Sequence, residues 1–199
     1  MNLRQTNPVK DAMLEDLRAL VECESPTEDL EACRRVVGLA AEISKQVTGA
    51  KGDVVEENGR PVFWLGSKSP KVVLLAHLDT VWPIGSFTPL WKVEGDIARG
   101  PGCYDMKAGF IQALYAMANL DRNQVALIAT TDEETGSATS KDLIIRLAKT
   151  SDAVLVFEAS LDGKVKTGRK GTAMYQITVT GKASHAGLEP EKELMQLLK

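Results

Sequence analysis

Histidine and cysteine are both scarce in this chain of 199 residues. It contains two histidines, His77 and His185, and three cysteines whose spacing fits neither a zinc finger nor a redox motif. Cys23 and Cys33 fall within helical patterns, which predicts buried thiols. Cys103 has no neighbouring histidine to activate it as a nucleophile. We therefore expect a reduced, cytoplasmic protein.

Three further absences exclude classes of partner. The net charge of -3 provides no basic surface, so nucleic acid is not an expected partner. No apolar run approaches the roughly 18–20 residues that span a bilayer, and the N-terminus lacks the apolar core of a signal peptide.

A hydrophobic fraction of 44% is enough for one domain and part of another.

The order of apolar patterns predicts an α/β fold. Helical spacing, strand-like runs and turn residues together predict helices over about 8–21, 28–47, 106–120 and 139–149, strands over 53–56, 62–65, 72–76, 125–129 and 153–157, and a hairpin over 89–99. The last three of these strands are continuous apolar runs, which is typical of strands buried on both faces. We therefore expect a three-layer catalytic domain with a mostly parallel mixed sheet.

The pattern changes after Gly168-Arg169-Lys170-Gly171. Residues 174–180 alternate between apolar and polar side chains, as a half-exposed strand does. We therefore expect a first domain over 1–170 and the opening part of a second domain over 171–199.

Imidazole and carboxylate groups follow the predicted buried strands. His77, Glu133-Glu134 and Glu158 each come after one of them, and Asp105 precedes a predicted helix. Taken singly, each has an ordinary explanation as a strand-end histidine, a helix cap, a solvated loop or a surface charge. Ligand sites in open α/β sheets lie at the carboxyl ends of strands, so together these residues predict one site.

The spacing within this set suits a metal centre. His77 and Asp79 are two residues apart, so in an extended backbone both point the same way and Asp79 can orient the imidazole. Glu133 and Glu134 are adjacent and point differently, so one can bind metal while the other acts as general base. Imidazole and carboxylate ligands without a thiolate suit catalytic zinc.

These motifs resemble those of the di-zinc exopeptidase family that includes glutamate carboxypeptidase, aminoacylase, acetylornithine deacetylase and succinyl-diaminopimelate desuccinylase. The likeness runs from about His77 to Pro190 and is nearest to the glutamate carboxypeptidase branch. It implies that His77 and Glu158 bind one zinc and that Asp79 orients His77. It further implies that Asp105 bridges both metals and that the peptide after it is cis.

The same resemblance assigns the remaining roles. It implies that Glu133 is the general base and that Glu134 binds the second zinc. Without the resemblance, His185 in Ser184-His185-Ala186-Gly187 has an ordinary explanation as a loop histidine that follows a strand. In the family the matching histidine lies on an α+β, ferredoxin-like lid and polarises the scissile carbonyl across a homodimer. The implied activity is hydrolysis of an amide bond beside a free carboxylate, in a small peptide or an N-acyl amino acid.

The C-terminal part departs from the family pattern. Family lids continue for roughly eighty more residues, and the chain then returns to supply a histidine to the Glu134 zinc. Restoring one G before the codons from Glu193 onward gives a family-like reading, so we hypothesise a one-base deletion and C-terminal truncation. A complete site holds two Zn²⁺, and we expect one or none in this chain, with weak or no activity. The alternative to an enzyme is an incomplete fragment that binds at most one metal or another subunit.

Overall fold

A computed structural model of the chain describes residues 8–160, 162–168, 171 and 175–178. Its contacts group the chain into two units, Met1–Ser160 and Leu161–Lys199. The second begins ten residues before the boundary expected from the sequence at 170/171, which stays a prediction. Of the strand expected over 174–180, residues 175–178 have no regular structure and the others lie outside the described residues.

The first unit alternates helices and strands in the predicted order. Its elements are α1 (Pro8–Glu22), α2 (Leu30–Thr48), β1 (Asp53–Glu57), β2 (Arg60–Gly66), β3 (Val72–His77), β4 (Lys92–Glu94), β5 (Ile97–Arg99), α3 (Ala108–Met117), β6 (Val125–Thr130), α4 (Lys141–Thr150) and β7 (Ala153–Val156). Helix α2 begins after Asp29, whose side chain accepts from the N–H of Ala32, and ends at Gly49 in the left-handed conformation. No described helix combines the length and apolar character of a membrane-spanning segment.

Five of these strands form one mixed sheet in the order β1-β2-β6-β3-β7. Strands β6, β3 and β7 are parallel to one another, whereas β2 is antiparallel to both β1 and β6. Four of the five strands therefore run in one direction, as the sequence predicts. Strands β4 and β5 pair separately as the expected hairpin.

The sheet has apolar side chains on both faces, and each face is covered. One face packs with α1, α2 and α3 into a core that includes Phe63, Leu74 and Leu127. The alternate residues Trp64, Val73 and Ile128 pack with α4 on the other side. This three-layer arrangement confirms the predicted α/β class.

Strand β7 differs from the prediction of a third buried strand. It pairs with β3 on one side and is the last strand of the sheet among the described residues. Leu155 and Val156 are 50% and 55% exposed. Its apolar composition resembled that of β3 and β6, but composition alone does not specify whether a strand has a second neighbour.

Candidate metal centre

The predicted imidazole and carboxylates of the first unit converge at one edge of the sheet. His77 is the last residue of β3, and its side chain is 1% exposed. Its Nε2 atom lies 3.1 Å from Asp105 Oδ1, 3.5 Å from Glu158 Oε1 and 3.9 Å from Glu133 Oε2. The parallel pairing of β3 with β6 and β7 brings the segments that follow these strands to the same edge.

Two overlapping groups of side chains have the spacing of metal ligands. His77, Glu133 and Glu158 form one group, and His77, Asp105 and Glu134 form the other. In each group the candidate ligand atoms lie within 4.8 Å of one another. Glu133, expected to be the base rather than a ligand, is thus close enough to serve in either role.

Asp79 contacts both the imidazole of His77 and the next loop. Its Oδ1 lies 3.3 Å from His77 Nδ1, and its backbone carbonyl oxygen lies 3.1 Å from the same nitrogen. Oδ2 accepts hydrogen bonds from Thr27 Oγ1 at 2.8 Å and from the N–H of Glu134 at 3.2 Å. Oδ1 is buried and has no well-aligned hydrogen bond among the described residues. The sequence predicted the contact with His77, but not those with Thr27 and Glu134.

The clustered charges alter the acidity of the site. Burial disfavours the charged imidazole of His77, but hydrogen bonds to Asp79 and Glu158 and nearby carboxylate charge outweigh it and raise its pKa to about 11. Burial raises the pKa of Glu134 to about 6 and also raises the pKa of Glu133. The hydrogen bond from His77 lowers the pKa of Glu158. The excess of carboxylate over imidazole groups therefore favours positive charge at this position.

Asp105 lies in an irregular turn, Cys103–Lys107, rather than directly at a helix start. Its φ and ψ of -122° and 97° are extended, and the peptide bond to Met106 is cis, as the family resemblance implies. The predicted helix over 106–120 begins only at Ala108. The extended backbone at Asp105 goes with a carboxylate that faces His77, with Oδ1 3.1 Å from Nε2. An aspartate that only capped the helix would not need to face His77.

Two further residues of the site were missed from the sequence. Asp132 is buried, and its carboxylate accepts hydrogen bonds from the backbone N–H groups and hydroxyls of Thr139 and Ser140, which closes the loop that carries Glu133 and Glu134. Gly109 passes so close to the segment before Glu158 that a Cβ there would lie 2.0 Å from the Phe157 carbonyl oxygen. The acidic run 132–134 was the available signal for Asp132, whereas nothing in the sequence pattern marks Gly109.

The donor set fits a divalent cation. Five carboxylates lie around one imidazole, those of Asp79, Asp105, Glu133, Glu134 and Glu158, and their negative charge exceeds what one protonated histidine neutralises. The buried Oδ1 of Asp79, which has no well-aligned hydrogen bond among the described residues, lies 3.3 Å from that imidazole. Imidazole nitrogen with carboxylate oxygen is a donor set that zinc accepts. His185, the remaining predicted residue, lies outside the described residues.

The sequence is similar to those of known peptidases and amidohydrolases. Residues 73–199 match the profile of peptidase family M20/M25/M40. The chain is 36% identical over 201 residues to carboxypeptidase G2 from Pseudomonas sp. (strain RS-16), covering 90% of this chain and 47% of that protein. It is 32% identical over 143 residues to succinyl-diaminopimelate desuccinylase from Coxiella burnetii, covering 61% of this chain and 38% of that protein.

The fold agrees as well. An M20 family metallo-carboxypeptidase from Sulfolobus solfataricus superimposes with a TM-score of 0.60 at 23% identity, covering 75% of this chain and 38% of that chain. The chain belongs to peptidase family M20/M25/M40, which confirms the family resemblance. The chain spans about half the length of two curated relatives, carboxypeptidase G2 and an M20 domain-containing protein from Schizosaccharomyces pombe.

Proposed function

We propose that this chain carries the metal centre of a zinc-dependent amidohydrolase that cleaves an amide bond beside a free carboxylate. The observation that supports it most is the approach of three carboxylates to within 3.9 Å of the buried His77 Nε2 atom. An imidazole surrounded in this way, at the carboxyl ends of parallel strands, is suited to binding a metal.

The ligand assignment follows the geometry and the family pattern. His77 and Glu158 would hold one zinc, Glu134 would hold the other, and Asp105 would contact both. When bound, zinc lowers the pKa of water and polarises a substrate carbonyl. Asp79 fixes the His77 ring and, through the Glu134 N–H, the start of the loop after β6.

Glu133 is the proposed proton carrier. Its side chain is 49% exposed, so it can face a substrate. Burial raises its pKa, which favours accepting a proton from water and returning it to a leaving amine. Both glutamates approach His77, but Glu134 is grouped with Asp105 and Glu133 with Glu158.

The substrate is proposed to be a small peptide or an N-acyl amino acid, in line with the carboxypeptidase and desuccinylase relatives. A cleft of about 720 Å³ opens beside Glu134, with apolar walls that include Leu30, Val81 and Ile84. A cleft of this size can hold such a molecule. In a longer form of the protein, we propose that His185 polarises the scissile carbonyl across a homodimer.

The alternative is a catalytically incomplete unit that binds at most one metal or another subunit. The observation that favours it is the coverage of only 47% of carboxypeptidase G2. On this proposal the 199 residues turn over substrate weakly or not at all.

Zinc content and turnover, measured together, separate the two proposals. The purified chain would be saturated with zinc, desalted and analysed by inductively coupled plasma mass spectrometry, then assayed on N-acyl amino acids and glutamyl dipeptides. Two zinc ions per chain with turnover would support the enzyme, and one ion without turnover would support the incomplete unit. His77→Gln is the matched variant that should lose the metal in both cases. Wild-type protein that retains no more zinc than His77→Gln would refute the metal centre itself.

A further inference from the structure

Lys107 places an ammonium group in the protein interior beside the metal centre. Its side chain is 0% exposed, which is rare for lysine. The Nζ atom donates hydrogen bonds to the backbone carbonyl oxygens of Leu20 at 2.9 Å and Cys23 at 3.1 Å. Both acceptors are neutral carbonyl groups, so the contact differs from an ordinary salt bridge.

The two acceptors lie at the C-terminal end of α1. Carbonyl groups in the last turn of a helix have no partner within the helix, and they carry the negative end of its dipole. An ammonium group has several donors that can satisfy more than one of them. Lys107 therefore caps α1 from a segment more than eighty residues away in the chain.

The segment that carries Lys107 is packed tightly on both sides. A Cβ on Gly100 would lie 2.4 Å from Val21 Cγ1 on α1, and a Cβ on Gly102 would lie 2.6 Å from Thr80 Cγ2. The N–H of Lys107 donates to the Gly102 carbonyl at 2.9 Å, which closes the turn around Asp105. The turn is thus held between α1 and the residue that follows Asp79.

We propose that Lys107 is a positioning residue that fixes the Asp105 carboxylate against His77 by anchoring its turn to the end of α1. The Asp105 side chain is 57% exposed and its backbone is extended within the turn. The direction in which its carboxylate points therefore depends on the position of the turn. The inference rests on the proposed function, in which Asp105 contacts both metals. A purely structural role would stabilise α1 without affecting the metal site.

Lys107→Met tests this distinction, because it keeps the length of the side chain and removes every donor. Zinc affinity, measured by competition with a chromophoric chelator, should fall about 10- to 100-fold, as for other residues that orient metal ligands. Leu147→Ala is the matched control, because Leu147 is buried in the core on the opposite face of the sheet. It should lower the melting temperature of the metal-free protein and leave zinc affinity unchanged. Unchanged affinity in Lys107→Met, or equal losses in both variants, would overturn the proposal.

A double-mutant cycle shows whether Lys107 acts through Asp105. In an Asp105→Ala background, Lys107→Met should change zinc affinity by much less than in the wild type, because the ligand that it positions is gone. An undiminished effect in that background would mean that Lys107 acts by another route, and the proposal would fail.

A metal-free measurement separates this proposal from the proposed function. Asp105 Oδ1 lies 3.1 Å from His77 Nε2, so the ¹⁵N signal of that nitrogen reports their contact. Lys107→Met and Asp105→Ala should shift it in the same direction, and Leu147→Ala should not. If wild-type protein binds no zinc but shows this pattern, the proposed function fails and the positioning role stands. An unshifted signal in Lys107→Met overturns the positioning role whatever the metal result.

Amine labelling of the wild-type chain covers the case in which Lys107→Met does not fold. Coupling between two sites is reciprocal. Zinc that orders Asp105 must therefore also stabilise the hydrogen bonds of Lys107 to the end of α1. Acetylation followed by mass spectrometry should modify exposed Lys68 readily and Lys107 slowly, and zinc should slow Lys107 further. Labelling of Lys107 at the rate of Lys68, or at a rate that zinc does not change in protein shown to bind zinc, would contradict the proposal.

Discussion

The backbone N–H of Glu134 donates a hydrogen bond to Asp79 Oδ2, with 3.2 Å between the two atoms. The other oxygen of the same carboxylate lies 3.3 Å from His77 Nδ1. One buried side chain thus connects the end of β3, which carries one proposed ligand, to the loop after β6, which carries another. Asp79 is therefore placed to set the distance between the two halves of the centre.

Asp79→Asn should weaken zinc binding by about 10- to 100-fold, the range seen when the partner of a metal-binding histidine is changed. The amide keeps the size of the side chain but lacks the negative charge, and its single oxygen can accept from the Glu134 N–H or face His77 Nδ1, but not both. Competition titration with a chelator measures the effect. Asp53→Asn is the control, because Asp53 is exposed and pairs with Lys68. Equal affinity in Asp79→Asn and Asp53→Asn would show that Asp79 does not orient the centre.

Glu133 and Glu134 form a matched pair for testing the division between base and ligand. We expect Glu134→Gln to lose zinc and Glu133→Gln to retain it, because the proposed base acts on water and substrate rather than on the metal. In any active form of the protein, Glu133→Gln should reduce turnover by about 10²–10⁴-fold. Metal content and turnover are measured on the same preparations. Loss of zinc from Glu133→Gln would instead identify the group His77, Glu133 and Glu158 as the ligand set.

The sequence predicted where the candidate site lies better than it predicted the residues that hold the site in place. Strands β3 and β6 are continuous apolar runs with polar residues directly after them, so both the strands and the site at their ends could be recognised. From the sequence alone, a lysine such as Lys107 is expected at the surface. Its burial depends on carbonyl groups of α1, which only the fold brings near it. The exposure of β7 depends likewise on its position at the sheet edge, which is a tertiary property.

The contact between Tyr115 and Asp16 predicts a pH dependence of stability. Tyr115 Oη donates to Asp16 Oδ2 at 2.8 Å and joins α3 to α1. Burial, with the hydrogen bond and charge of Asp16, raises the pKa of Tyr115 from 10.0 to about 12. The folded protein therefore holds this proton more tightly than the unfolded chain. The resulting stabilisation is complete below pH 10 and is lost as the pH rises to about 12.

Tyr115→Phe isolates this contribution from other groups that titrate in alkali. The free energy of unfolding of the wild-type protein, measured in urea, should exceed that of Tyr115→Phe at about pH 9. The difference between the two proteins should shrink by about pH 11. Asp16→Asn should lower the pKa of Tyr115, as followed by the ultraviolet absorbance of tyrosinate, because it removes the nearby charge. A difference between wild type and Tyr115→Phe that stays constant over this range would contradict the assignment.

Two helical glycines, Gly109 and Gly38, should respond to the same substitution in opposite ways. A Cβ on Gly109 would lie 2.0 Å from the Phe157 carbonyl oxygen, whereas a Cβ on Gly38 meets no atom within 4 Å. Gly38→Ala should therefore stabilise the protein by about 0.5–1 kcal/mol, since alanine has the higher helix propensity. Gly109→Ala must displace the segment after β7 and should destabilise by about 1–3 kcal/mol.

The displacement caused by Gly109→Ala should also reach the metal centre. Phe157 immediately precedes Glu158, whose Oε1 lies 3.5 Å from His77 Nε2, so moving Phe157 moves a proposed ligand. We expect weaker zinc binding in Gly109→Ala and unchanged binding in Gly38→Ala, measured by the same chelator competition and paired with urea unfolding of the metal-free proteins. If Gly109→Ala lost stability but bound zinc as the wild type does, the approach of α3 to Phe157 would matter for packing only. Glu158 would then reach His77 without the close contact that Gly109 allows.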